Sequence, residues 1–111
     1  MADEATEKTP APKKTTRKPD PMTQLLNEVK AEIKGFADTE VKPIGPGRAE
    51  QYDRRASAWG RHYADHGTLD GLLLSLSFEA LAALNPAERR YSLVQLAAAA
   101  LLSVEKLDGS K

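Results

Sequence analysis

The first twenty residues, MADEATEKTPAPKKTTRKPD, mix charges, threonines and prolines and hold almost nothing to bury. That composition cannot offset the entropy of ordering, so it predicts a disordered tail over residues 1–20. At Pro21 the pattern changes. Leu25, Leu26, Val29, Ile33 and Phe36 recur at helical spacing, with Glu28, Lys30, Glu32 and Lys34 between them. This is one apolar stripe on a helix over residues 21–36. Asp20 suits its N-cap, and Pro21 sits where a missing N–H costs nothing. The stretch ADTEVKPIGPG then predicts a loop.

A second helix is predicted over residues 48–66, because Tyr52, Ala56, Trp59 and Tyr63 form a seam at alternating four- and three-residue steps. Arg54, Arg55, Arg61 and His62 fall on its polar side. Gly60 weakens it by up to about 1 kcal/mol relative to alanine, in exchange for a kink or a close helix contact. Gly67 reads as its stop. Thr68 or Asp70 caps a third helix running to residue 84. The fourth opens at NPAERR with Asn85 as cap, Pro86 at the first helical position and Glu88 completing a capping box. It runs to Leu107, and Asp108–Gly109 reads as its end. The short connection makes helices three and four an antiparallel hairpin. No strand pattern or repeat appears. The expected architecture is all-α: a four-helix bundle over residues 21–111.

The fourth helix is apolar around much of its girth: Leu93, Val94, Leu96, Leu101, Leu102, Val104, Leu107 and a run of four alanines. A helix buried on one side shows a polar face opposite, and this one hardly does between Leu96 and Leu102. The surplus apolar surface predicts a homodimer through helices three and four, with the alanines admitting a close partner.

Composition narrows the function classes. At 111 residues the chain makes one domain at most. Lys plus Arg and Asp plus Glu number 16 each, so no global field draws in nucleic acid or an anionic membrane. The basic segment KKTTRK reads as a solubilising tail, with weak binding to nucleic acid or an acidic partner as the alternative. There is no cysteine, which removes disulfides, thiolate catalysis and Cys-based zinc sites together. The polar N-terminus is unlike a secretory signal. The longest apolar run, LVQLAAAALLSV, is short for a bilayer core of about 30 Å and contains Gln95. These features predict a cytoplasmic protein, in the host cytoplasm if it is phage-encoded.

Candidate chemistry is sparse. No GK[ST] or GxGxxG loop and no GxSxG elbow is present. His62 and His66 share a helical face at metal-ligand spacing, but no third ligand accompanies them. His66 suits a helix C-terminus, where its charge complements the dipole. In SLSFEALA, Glu79 stands alone among apolar and small residues. Ser75 and Ala83, one turn away on either side, leave room for a water, a cation, an arginine or a second subunit. The plain alternative is a carboxylate that is solvated or paired with Arg89 or Arg90 across the hairpin.

The run GTLDGLLLSLSFEALAALNPAERRYSLVQLAAAALLSVEKLD resembles the second half of MazG-like nucleotide pyrophosphohydrolases, and is most similar to small versions from actinobacteria and their phages. The likeness lies in GTL before the helix, FEALA, the hairpin proline and LVQLAA. It implies an all-α enzyme that splits nucleoside triphosphates into monophosphate and pyrophosphate with magnesium. The family's carboxylates, which hold the cation and with it the phosphates, form a Glu-Glu-x-x-Glu set on one helix and Glu-x-x-Asp on the next. Aligned on Phe78 and Glu79, these positions are Ser75, Leu76, Glu79, Ser92 and Gln95 here, and Glu79 alone is acidic. The resemblance therefore implies a catalytically disabled relative. In it Glu79, Ser75, Ser92 and Gln95 are the remnant of the metal site and Arg89 and Arg90 the candidate phosphate contacts. Such a protein would be a scaffold binding a partner protein or a nucleotide. Two alternatives stand beside it. One is an active, magnesium-dependent pyrophosphohydrolase whose ligands include Asp53, Asp65 or Asp70. The other is a helical structural or adaptor protein, such as a phage virion or assembly component.

Overall fold

The structure is a computed structural model that describes residues 20–110. The tail expected over residues 1–20 lies outside the described residues, Asp20 excepted. The fold is all-α, with four helices and no strand among the described residues. The chain divides into two units, residues 1–38 and 39–111.

The first unit holds α1 (Pro21–Gly35). Asp20 caps it as its position suggests. Its Oδ1 accepts the Thr23 N–H at 2.9 Å, and its Oδ2 accepts the Thr23 hydroxyl at 3.1 Å. The backbone bond from Thr23, helped by the hydroxyl, holds the Asp20 carboxyl below the ordinary carboxylate range. Of the apolar stripe, Leu25 is buried and Val29 half-buried, whereas Leu26, Ile33 and Phe36 are exposed.

The second unit contains α2 (Ala49–His66), α3 (Leu69–Ala82) and α4 (Pro86–Gly109). α3 is the middle helix, packed by α2 and by α4, which do not pack on each other. α2 ends at Gly67, whose left-handed backbone (φ +65°) lets its N–H reach the Tyr63 carbonyl at 2.7 Å. The chain then turns back, and α3 runs antiparallel to α2. At the corner, Gly71 lies against the Tyr63 backbone. At the far end the rings of Tyr52 and Phe78 stack with centroids 6.0 Å apart, and the Arg55 guanidinium lies 5.9 Å from the Phe78 ring centre. Ala56 is buried between these ends, with Tyr52 and Trp59 half-buried, so the expected α2 seam is the contact surface.

The end of α1 and the start of α2 differ from the sequence expectation by one residue, and two further helix boundaries by two. α3 stops at Ala82, because Ala83 is extended (φ −58°, ψ 138°). α4 continues through Asp108 to Gly109. Gly109 is absent from the positive-φ glycines, so it provides no left-handed stop. Ser110 closes the helix instead, donating its N–H to the Lys106 and Leu107 carbonyls. The α4 start follows the capping box in modified form. Asn85 Oδ1 accepts the Glu88 N–H at 2.9 Å, but Glu88 Oε1 accepts from Leu84, one residue before the cap, at 3.3 Å.

The close-contact glycine is Gly71, not Gly60. A Cβ on Gly60 would meet nothing within 4 Å, while one on Gly71 would lie 3.0 Å from both Cα and Cβ of Tyr63. Those atoms belong to a neighbouring helix and cannot swing aside. Gly71→Ala is therefore expected to destabilise the fold by about 1–3 kcal/mol through overpacking. Gly60→Ala is expected to stabilise it by up to about 1 kcal/mol. Urea denaturation of the two variants checks the opposite signs.

Candidate functional site

Glu79 lies on the exposed side of α3 and lines an open groove of about 500 Å³. Asp53 of α2 and Glu88, Tyr91 and Ser92 of α4 face the same groove, and Ala82, Ala83 and Ala87 line it with small side chains. Glu79 forms no ion pair among the described residues. Of the two plain alternatives, a solvated carboxylate or one paired with Arg89 or Arg90, the structure has the exposed carboxylate, and both arginines are placed elsewhere. Arg89 donates from Nε to the Ala80 carbonyl at 3.2 Å and from Nη2 to the Ala83 carbonyl at 3.1 Å. It thus caps the C-terminal end of α3, where carbonyls lack helical partners and positive charge is favoured. Arg90, the next residue along α4, borders a separate shallow groove with Pro86, Leu93, Val94 and Ala97.

The four positions that the resemblance assigns to a remnant metal site make separate contacts. Glu79 and Ser92 line the acidic groove. Ser75 is buried and donates its hydroxyl to the Leu72 carbonyl at 3.0 Å. Gln95 directs its amide nitrogen to the Tyr91 hydroxyl at 3.3 Å. Ser77 and Ser103 likewise donate to carbonyls of their own helices, at 2.7 Å each. Among the described residues, no three His, Asp or Glu side chains converge as ligands for a metal ion. A hard divalent cation takes several clustered oxygens, so this donor set does not fit the magnesium that the resemblance implies. Asp53 and Glu88 reach the groove through the packing of α2 and the Glu88 capping position, which a helix-by-helix reading does not bring together.

The histidine pair is a stack rather than a pincer. The rings of His62 and His66 lie 4.5 Å apart at 26° to each other, with the Trp59 ring edge-on to His62. His66 Nδ1 faces the His62 carbonyl at 3.2 Å and so donates to it. Across the corner, Asp70 accepts the Thr68 hydroxyl at 2.5 Å and the Gly71 N–H at 2.8 Å. The Thr68 bond first, then the Gly71 bond, with the nearby His62 charge adding, hold the Asp70 carboxyl below the ordinary carboxylate range.

No protein-family model, curated protein or solved structure matches this chain. No helix among the described residues is long and apolar enough to cross a membrane.

Two outcomes follow from these contacts. Arg89→Ala is expected to cost about 1–2 kcal/mol, at the low end for charged hydrogen bonds because the side chain is half-exposed. Arg89→Lys is expected to recover less than half of this, since an ammonium lacks the guanidinium fork; chemical denaturation reads both. Asp70, with a folded-state pKa below its unfolded value, contributes stability above the ordinary carboxylate range. That contribution fades as the pH falls through the folded-state pKa and is gone when both states are protonated. Asp70→Asn is expected to flatten the acid limb of a melting-temperature profile taken from neutral pH downward.

Proposed function

We propose that this chain is a MazG-like helical scaffold without the family's catalytic site, working through protein contacts and assembling as a homodimer through its α3–α4 hairpin. The observation that carries this reading is the reversed polarity of α4. Between Ser92 and Val104 its polar side chains, Ser92, Gln95 and Ser103, are all half-buried. Every exposed residue in that span is apolar: Leu93, Val94, Ala97, Ala98, Ala100, Leu102 and Val104. Leu93, Val94 and Leu102 keep 49%, 52% and 48% of their surface exposed. A helix that faced water on this side would carry its polar residues there. A contiguous exposed apolar face of this kind is the mark of an interaction surface.

A protein partner fits better than a nucleotide. The Glu79 groove presents Asp53 and Glu88 as well, and three carboxylates repel a triphosphate unless a divalent cation bridges them. Arg89 is engaged in capping α3.

Two measurements test the reading. Sedimentation should give twice the chain mass of 12.1 kDa. A monomer would overturn the homodimer, and a ring or lattice would favour a structural assembly component. Pyrophosphate release from a panel of nucleoside triphosphates with magnesium or manganese should be absent. Release that vanishes in Glu79→Ala would make the chain an enzyme and sink the scaffold reading.

A further inference from the structure

The outward side of α4 holds a second level of order. Arg90, Val94, Ala97, Leu101, Val104 and Asp108 follow one another at alternating four- and three-residue steps, the repeat that keeps a seam on one side of a helix. All are exposed except Leu101, which is half-buried. The seam has a cationic end at Arg90, an anionic end at Asp108 with Glu105 beside it, and apolar residues between. Arg90 has no ion pair among the described residues.

We infer that this face is covered by the α4 of a second copy running antiparallel, with the two-fold axis level with Ala99. The inference rests on the dimeric scaffold reading above and specifies its geometry. In an antiparallel pair the positions of one helix meet those of the other in reverse order. Val94 then packs on Val104 of the second copy, Ala97 opposite Leu101, and Arg90 lies beside Glu105 and Asp108. Small faces large at the centre, and opposite charges meet at both ends. A parallel pair places Arg90 on Arg90, Asp108 on Asp108 and Ala97 on Ala97. That sets like charges together and leaves a gap between the alanines. Self-complementarity in one orientation alone commits the face to a second copy of this chain rather than an unrelated helix. It also sets the closed, two-fold character of the assembly.

The absence of cysteine makes the geometry directly readable. Val94→Cys and Val104→Cys are prepared as separate proteins, one with a tag that changes its mass. Circular dichroism and sedimentation on each establish that helicity and mass match the parent chain. The two are then mixed under mild oxidation. The expected product is the mixed disulfide between Cys at 94 and Cys at 104, with little Val94→Cys homodimer. In the antiparallel pair the two copies of position 94 lie about 15 Å apart along the axis, ten residues at 1.5 Å each, beyond disulfide reach. Dimeric mass with disulfides joining position 94 to itself would overturn the antiparallel order and leave the dimeric scaffold standing. Dimeric mass with no disulfide at either position would move the interface off this seam and also overturn the inference. Monomeric mass of the parent chain would remove the dimeric reading itself.

Discussion

The approach of α3 to α2 at Gly71 governs the rest of the second unit. With hydrogen in place of a side chain, the α3 backbone can sit against Tyr63, directly after the Gly67 corner. Two helices held this close at one end stay in contact along their length only if the residues between are small or flat. Ala56 of α2 and Ser75, one turn on from Gly71, are the buried ones, and Tyr52 stacks on Phe78 beyond them. The same economy limits the core. No large side chain among the described residues is fully buried, and the hydrophobic contribution scales with apolar area removed from water. A core of small residues packs well and removes little area. Surface covered by another chain therefore weighs more heavily here than in a protein with a large interior.

The turn between α3 and α4 is secured by polar devices rather than by bulk. Asn85 and Glu88 bind the backbone at the start of α4, and the Arg89 fork binds the last carbonyls of α3. With Arg89 engaged at the α3 carbonyls, the groove is lined by Asp53, Glu79 and Glu88 and by no cationic side chain. The electrostatic character of the groove is thus a by-product of how the hairpin is tied.

The elements themselves were legible in the sequence because their signals are local. Asp20–Pro21 and Asn85–Pro86 mark two helix starts, and the Tyr52–Ala56–Trp59–Tyr63 seam marks the buried side of α2. What local signals do not carry is orientation. Gly60 and Gly71 are equivalent in composition, and only the packing of α3 decides which one meets a neighbour. Arg89 and Arg90 are adjacent residues about 100° apart on a helix of 3.6 residues per turn. The turn sends one to the α3 carbonyls and the other outward. Glu79 was recognisable as an isolated carboxylate, but its neighbours Asp53 and Glu88 come from other helices. Ser75 illustrates the limit of alignment: its position suggests a ligand, while burial and the Leu72 carbonyl claim its hydroxyl.

The asymmetry along α4 bears on why its outer face is apolar. Its first turn is tied to the connecting turn by the capping box and to α3 by Arg89. From Tyr91 to Val104, its side-chain hydrogen bonds among the described residues join residues of α4 only, as in the Gln95–Tyr91 and Ser103–Ala99 pairs. Ala99 is the one buried residue of the helix, and Leu107 is 67% exposed. A helix anchored at one end, with a single buried residue beyond it, is prone to open from its free end, since local stability follows buried contacts. In the proposed dimer, an antiparallel second copy would set the anchored end of each α4 against the free end of the other. The Arg89-tied turn of one copy would then brace the last turns of its neighbour. The proposed interface would in this way both hide the apolar face and hold the far half of the hairpin closed.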